Sequence, residues 1–258
     1  LVARAAQFVE ELLIAEVSVE PVYRKRLLDP RGRRTESEMR LVPVSEQPIG
    51  GPCRLPVNSI APPLPSDDEL YQALVLGTGD YVRKNGFTDV VIGLSGGIDS
   101  TLVACIAVDA LGAEHVHGVS MPSRYSSDHS KSDAAALAQA LGIDYRTIAI
   151  EPAFAAMLDM YAPSFADRPA DLTEENLQSR IRGTTLMALS NKFGWMVLTT
   201  GNKSEMAVGY FTIYGDSVGG YAVIKDVLKT RVYDVCRYVN RIQRRETVRD
   251  GVTTKPPS

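Results

Sequence analysis

From about residue 66 onward, dense apolar runs alternate with longer amphipathic stretches. Val90-Val91-Ile92-Gly93-Leu94, His115 to Met121, Tyr145 to Ile150 and Trp195 to Thr199 are short and mostly apolar, and each predicts a buried strand. Between them, Ser66 to Asn85, Thr101 to Leu111, Ser130 to Leu141 and Thr173 to Phe193 have helical spacing. Ser66 precedes three acids, a favourable helix start, Thr173 is the expected cap of the last helix, and Gly112, Gly142 and Gly194 are stops. Apolar strands alternating with helices predict an α/β fold, a doubly wound parallel sheet covered on both faces. Ligands of such sheets bind where strands end at their carboxyl termini. Here those ends are the Ser-Gly-Gly segment at 95–97, Ser120-Met121-Pro122 and Thr199-Thr200-Gly201.

The amino-terminal part is patterned differently. Residues Phe8 to Val17 alternate and read as strand material whose partners lie upstream, and with no methionine at position 1 this predicts a fragment of a longer polypeptide. Seven prolines and two glycines between Leu41 and Pro65 predict a linker. The expected organisation is a β-rich remnant at 1–45, a linker at 46–65 and a nucleotide domain from 66 onward.

Composition narrows the function classes. With 45% hydrophobic residues among 258, the chain has an ordinary globular core, and a net charge of −3 argues against a general nucleic-acid or anionic-membrane surface. Arg24 to Arg34 and Arg237 to Arg249 read as solvated loop or subunit contact rather than nucleic-acid sites. Charge interrupts every apolar stretch before the roughly 18 residues of a membrane helix, and no signal-peptide layout is present, so a cytoplasmic protein is expected. Cys53, Cys105 and Cys236 suggest neither a disulfide framework nor a zinc site. Cys105 reads as a core residue, and His115 and His117 as structural.

Ser95-Gly96-Gly97-Ile98-Asp99-Ser100 lies between a strand and a helix, where two glycines let backbone amides approach an anion. Hydroxyls at Ser95, Ser100 and Thr101 add donors, and Asp99 suits a divalent cation; the plainer alternative is an ordinary strand-to-helix turn. Thr199 to Glu205 repeats the pattern, offering Glu205 as a second hard oxygen ligand or simply as a capping acid. Asn176, Arg180 and Arg182 precede it on the long helix, with one arginine expected in a structural pairing and the other on phosphate. Gly209 to Gly220 mixes aromatics, glycines and Asp216, which fits a substrate loop or a surface hairpin, and Lys225 and Lys229 follow as phosphate-ligand candidates.

Ser95 to Ser100 resembles the pyrophosphatase loop of the N-type ATP pyrophosphatases, an adenine-nucleotide alpha-hydrolase-like fold. Tyr125 to Asp133, Glu174 to Gly183, Thr200 to Glu205 and Tyr214 to Gly220 resemble, in order, the synthetase domain of the glutamine-dependent NAD⁺ synthetases. Residues 1 to about 45 look like the tail of that family's nitrilase-like glutaminase domain. The resemblance implies amidation of nicotinic acid adenine dinucleotide (deamido-NAD) through an acyl adenylate, releasing AMP and pyrophosphate. The ammonia would come from an upstream glutaminase domain. It implies that Gly93-Leu94-Ser95-Gly96-Gly97-Ile98-Asp99-Ser100, Arg182 and Thr200 contact ATP, and that Asp99 and Glu205 hold Mg²⁺. Asn176, Glu205, Tyr210, Phe211, Thr212, Ile213 and Asp216 would then line the deamido-NAD site, with Lys229 neutralising phosphate and Asp99 and Glu205 acting with it in catalysis. A homo-oligomer is also implied. Leu228 stands where the family pattern has proline, and the family enzymes continue beyond the segment that Thr253 to Ser258 resembles. A GMP synthetase, or a nucleotide-binding module without chemistry, is the alternative.

Overall fold

Val90–Gly93 (β1), Val116–Ser120 (β2) and Met196–Thr199 (β4) form on three of the apolar runs, whereas Asp144–Thr147 (β3) is a polar, partly exposed edge strand that starts before the run at Tyr145 to Ile150 and stops short of its end, and Tyr221–Ala222 adds a short fifth strand (β5). They make one all-parallel sheet in the order β3-β2-β1-β4-β5. The computed structural model describes residues 1–28, 42–46, 57–166, 168–243, 248 and 252. Within it Leu1–Leu64 and Pro65–Ser258 are separate compact units.

The helices are Glu20–Leu28 (α1), Ser66–Lys84 (α2), Ile98–Leu111 (α3), Asp128–Leu141 (α4), Glu151–Phe165 (α5), Leu172–Phe193 (α6), Lys203–Val208 (α7) and Lys229–Gln243 (α8). Among the described residues, none is long and apolar enough to cross a membrane. The central strands are apolar throughout because both faces are covered. Val90, Ile92, Met196 and Leu198 pack with residues of α2, α3, α4 and α8, whereas Val91 and Val197 pack with Phe154, Ile181 and Leu186 of α5 and α6. Burying each such strand side chain fully is worth about 2 kcal/mol. Helix α3 is apolar all round and is the core's inner helix, with Leu102 to Ala107 inaccessible and Cys105 among them.

Several boundaries depart from the sequence pattern for local reasons. Helix α3 starts at Ile98 rather than Thr101, because Gly97 takes the extended N-cap conformation, so Asp99 and Ser100 belong to its first turn. Helix α6 is capped by Asp171 rather than Thr173: the Asp171 carboxylate accepts from the Thr173 N–H at 2.7 Å, and Glu174 accepts from the Asp171 N–H at 2.7 Å. Helix α5 is not signalled by the pattern, since Pro152 and Pro163 read as breakers; Pro152 lies in the first turn, where a missing N–H costs no hydrogen bond. Nor is α8, whose arginines mask a buried stripe of Val232, Val235 and Val239. The stretch read as loop or subunit contact from Arg237 is therefore helical through Gln243, with Arg237 paired to Asp234 at 2.6 Å and the preceding turn anchored by Arg231 to Asp67 at 2.9 Å.

The amino-terminal unit is not built from strands among its described residues. Phe8 to Val17 is irregular, and the one bridge joins Arg4 to Ile60. Alternation alone cannot hold a strand without a neighbouring backbone, and here Glu16 is instead held by Asn58, whose side chain accepts from its N–H at 2.8 Å and donates to its carbonyl at 2.9 Å. Leu12 is 85% exposed. Cys53, the stretch 47–56 of the proposed linker and Thr253 to Ser258 lie outside the described residues.

His115 and His117 belong to the amino-terminal edge of the sheet, opposite the strand ends that bind ligands in this fold. His117 lies 3.2 Å from Asp89 and 3.0 Å from Asp144, and stacks on Trp195 with ring centroids 3.6 Å apart. Burial disfavours ionisation of Asp89, but hydrogen bonds from Thr88, His117 and His115 outweigh it and hold the carboxyl below the usual range. A lowered folded-state value contributes stability above the unfolded pKa of about 3.9, and loses it as pH falls through the folded value. Asp89→Asn is therefore expected to cost about 1–2 kcal/mol at neutral pH. Thermal melts across pH would show the gap closing below about pH 4; an equal gap at acidic and neutral pH would contradict the charge-based account.

Candidate functional site

At the carboxyl end of β1 the chain turns through Ser95-Gly96-Gly97 into α3. Gly96 has φ +75°, and a Cβ there would lie 2.4 Å from the Ser130 carbonyl of α4, so only glycine lets the loop pass this close to its neighbour. Ser95 Oγ accepts from the Gly97 N–H at 3.1 Å. The hydroxyls of Ser100 and Thr101, expected as anion donors, instead donate to the Gly97 carbonyl at 3.0 and 2.9 Å. Those bonds fix the turn. The anion donors left are backbone ones: helix geometry gives the amides of residues 98–100 no partner within α3, and Gly97 offers no side chain to cap them. Together with the α3 dipole they suit an anion.

Asp99, in that first turn, reaches two other helix starts. Its Oδ1 accepts from Asn202 Nδ2 at 3.1 Å, and its other oxygen pairs with Nζ of Lys229, the first residue of α8. Asn202 is inaccessible and caps α7, accepting from the Glu205 N–H at 3.0 Å while its own N–H donates to Glu205 Oε2 at 3.0 Å. The α7 and α8 starts are tied directly as well, through Lys203 N–H to the Val227 carbonyl at 2.9 Å and Lys229 N–H to Ser204 Oγ at 3.1 Å. Burial pushes the Glu205 carboxyl above its ordinary value; the charges of Asp99 and Asp216 push the same way, against the Asn202 N–H and Lys229.

These residues fit a magnesium ion that is shared with phosphate. Two carboxylates held on one asparagine, with Glu205 raised by burial and then by the charge of Asp99, are eased by a divalent cation. Among the described residues no three His, Cys, Asp or Glu side chains form a metal cage, so the remaining ligands would be phosphate and water oxygens, the usual arrangement for Mg²⁺.

A second group of predicted residues gathers where α6 crosses the loop after α7. Thr212 Oγ1 donates to Asn176 Oδ1 at 2.8 Å, the Thr212 N–H donates to Asp216 at 2.7 Å, and the Asp216 N–H donates to Ser179 Oγ at 3.0 Å. A Cβ on Gly183 would come within 2.7 Å of the Tyr214 carbonyl, which explains a glycine inside a long helix. The loop runs as turns rather than a hairpin and leaves Tyr210, Phe211 and Ile213 exposed. This group is linked to the first by the Tyr210 N–H, which donates to the Glu205 carbonyl at 2.9 Å, and by the charge of Asp216, felt at Glu205.

The arginines divide as backbone anchors. Arg182, half-buried and with its pKa lowered by that burial, donates through Nε to the Met121 carbonyl at 3.2 Å, and Arg180 donates to the Ile213 carbonyl at 3.2 Å. Thr200 is half-buried beyond β4, and Lys225 is exposed. Sequence reasoning passed over Asn202 and Ser204, although Asn-x-x-Glu at 202–205 is a readable capping box.

The NAD synthase family model matches residues 70–258. The chain belongs to the NAD synthase family. A glutamine-dependent NAD(+) synthetase of Thermotoga maritima is 50% identical over 255 residues, covering 97% of this chain and 44% of that protein. This member thus spans less than half the length of that relative. Among solved structures, the glutamine-dependent NAD⁺ synthetase of Acinetobacter baumannii in complex with ADP is 49% identical, with a TM-score of 0.75 over 77% of this chain and 38% of that one. The NH₃-dependent NAD synthetase of Campylobacter jejuni is 28% identical, with a TM-score of 0.66 over 74% and 77%. The all-parallel sheet described above agrees with that likeness.

Gly96→Ala should destabilise the protein by about 1–3 kcal/mol and weaken ATP binding at least tenfold. Gly86→Ala is the control, because Gly86 has φ +79° but open space around it. Equal stability losses with unchanged nucleotide affinity in both variants would exclude the Gly96 loop as the phosphate cradle.

Proposed function

We propose that this chain is the synthetase portion of a cytoplasmic, ATP-dependent amide ligase that converts deamido-NAD to NAD⁺. The observation that carries the reading is the meeting of Asp99, Glu205 and Lys229 at the starts of three helices, beside a glycine loop of free amides. A carboxylate must be activated before an amine can displace one of its oxygens. In the proposed reaction a carboxylate oxygen of deamido-NAD attacks the α-phosphorus of ATP, the bond to the bridging oxygen breaks, and pyrophosphate leaves. Ammonia then adds to the acyl carbon, loses a proton, and AMP departs.

Each group has a part in that scheme. The amides of residues 98–100 and the α3 dipole bind phosphate oxygens, and Lys229 stands ready to offset charge gathering on the leaving pyrophosphate. Magnesium, held by Asp99 and Glu205, would neutralise the triphosphate and orient it. In this scheme Arg182 and Thr200 contact ATP at the ends of the neighbouring strands. Asn176, Thr212 and Asp216 set one wall of the dinucleotide site, while the exposed rings of Tyr210 and Phe211 are available to stack on a base or the nicotinate. Ammonia would come from glutamine hydrolysis in an upstream domain, as the names and greater length of the relatives support. The reading includes assembly into a homo-oligomer.

The protein incubated with ATP, Mg²⁺, ammonium chloride and deamido-NAD should yield NAD⁺, AMP and pyrophosphate in equal amounts. ATP bound but never cleaved would point to a nucleotide-binding module instead. Asp99→Asn and Glu205→Gln should each lower turnover at least about 100-fold, the scale of losing a group that stabilises transition-state charge, with unchanged far-ultraviolet circular dichroism. Near-normal turnover in either variant would remove that residue from the site.

A further inference from the structure

Asn202 is inaccessible and uses every polar group it has. Its Oδ1 accepts from the Glu205 N–H at 3.0 Å, its N–H donates to Glu205 Oε2 at 3.0 Å, its carbonyl accepts from the Met206 N–H at 3.1 Å, and Nδ2 donates to Asp99 Oδ1 at 3.1 Å. Three of these four bonds belong to the helix start, and serine or glycine at an N-cap serves that purpose nearly as well. The fourth does not. It crosses 103 residues of sequence to the other carboxylate, and the asparagine amide divides the two tasks between separate atoms, an oxygen for the cap and an N–H for Asp99.

We propose that Asn202 is the positioning residue of the metal–nucleotide site, setting through its two side-chain hydrogen bonds the separation and orientation of the Asp99 and Glu205 carboxylates. It touches neither ATP nor the reacting carboxylate. Its effect passes through the two acids, so the assignment rests on their reading as the magnesium-holding pair. The bond to Asp99 also leaves one carboxylate oxygen directed at Lys229, so that Asp99 is held from two sides before any nucleotide arrives. Fixing ligands through neighbouring hydrogen bonds is how proteins keep metal affinity from being lost to side-chain freedom.

The test compares Asn202→Ser, which keeps a capping oxygen, with Asn202→Gly, which leaves a tolerated N-cap without a side chain. Mn²⁺ is titrated calorimetrically into each protein saturated with α,β-methylene-ATP, and melting is followed without ligands. A positioning role predicts at least a tenfold weaker Mn²⁺ affinity in both variants, to a similar extent, with melting temperatures close to the parent's. Parent-like Mn²⁺ affinity in Asn202→Ser would reduce Asn202 to a cap and overturn the proposal while leaving the ligase reading intact. A parent protein that takes up no Mn²⁺ with the nucleotide would overturn the magnesium-pair reading itself, and this assignment with it.

Discussion

Asp99 is the point on which the site hangs. One carboxylate, partly buried in the first turn of the core helix, is shared between a lysine that begins α8 and an asparagine that caps α7. Removing it would leave the Lys229 ammonium and the Asn202 amide without their common acceptor, and would detach the α3 start from those of α7 and α8, which stay tied to each other directly. A buried charge is costly unless paired, so an arrangement with one acid and two donors is held firmly where a lone acid would not be. Glu205 is the counterpart: its carboxylate is tied to the same asparagine, yet burial and neighbouring acids leave it short of positive charge. The site is thus pre-formed on one side and electrostatically unfinished on the other, which is the condition in which a cation and a polyphosphate complete it.

The sheet explains why these elements meet. With β1 flanked by β2 and β4, the loops that leave the three central strands open on one edge. The apolar content of those strands is what fixes that order, since both faces of β1 are buried and it can occupy only the middle. The candidate site lies where the fold keeps its helix starts, while the opposite edge carries the His117, Asp89 and Asp144 bracket.

The strands, the glycine loop and the order of the motifs were legible in the sequence because each depends on local rules: apolar density, turn residues and capping. Helices α5 and α8 were not, because a proline in the first turn and another inside the helix conceal α5, and arginines conceal the buried stripe of α8. The Phe8 to Val17 alternation reads as strand material with partners upstream, and those residues are irregular here because a strand pattern has no effect without a backbone to pair with. At the site, Asp99 and Glu205 could be picked out as acids at strand ends. Asn202 could be read only as a cap, because its bond to Asp99 spans more than 100 residues. The hydroxyls of Ser100 and Thr101 looked like ligand donors but are turned inward to hold the loop that presents the amides.

The central proposal is that this pre-formed cluster holds ATP for attack at its α-phosphorus by a dinucleotide carboxylate. Oxygen tracing tests it most directly. Deamido-NAD labelled with ¹⁸O in its nicotinate carboxylate is turned over with ATP, Mg²⁺ and ammonia, and the products are weighed by mass spectrometry. The account predicts one labelled oxygen in the phosphate of AMP and none in pyrophosphate. Labelled pyrophosphate, or AMP without label, would contradict it.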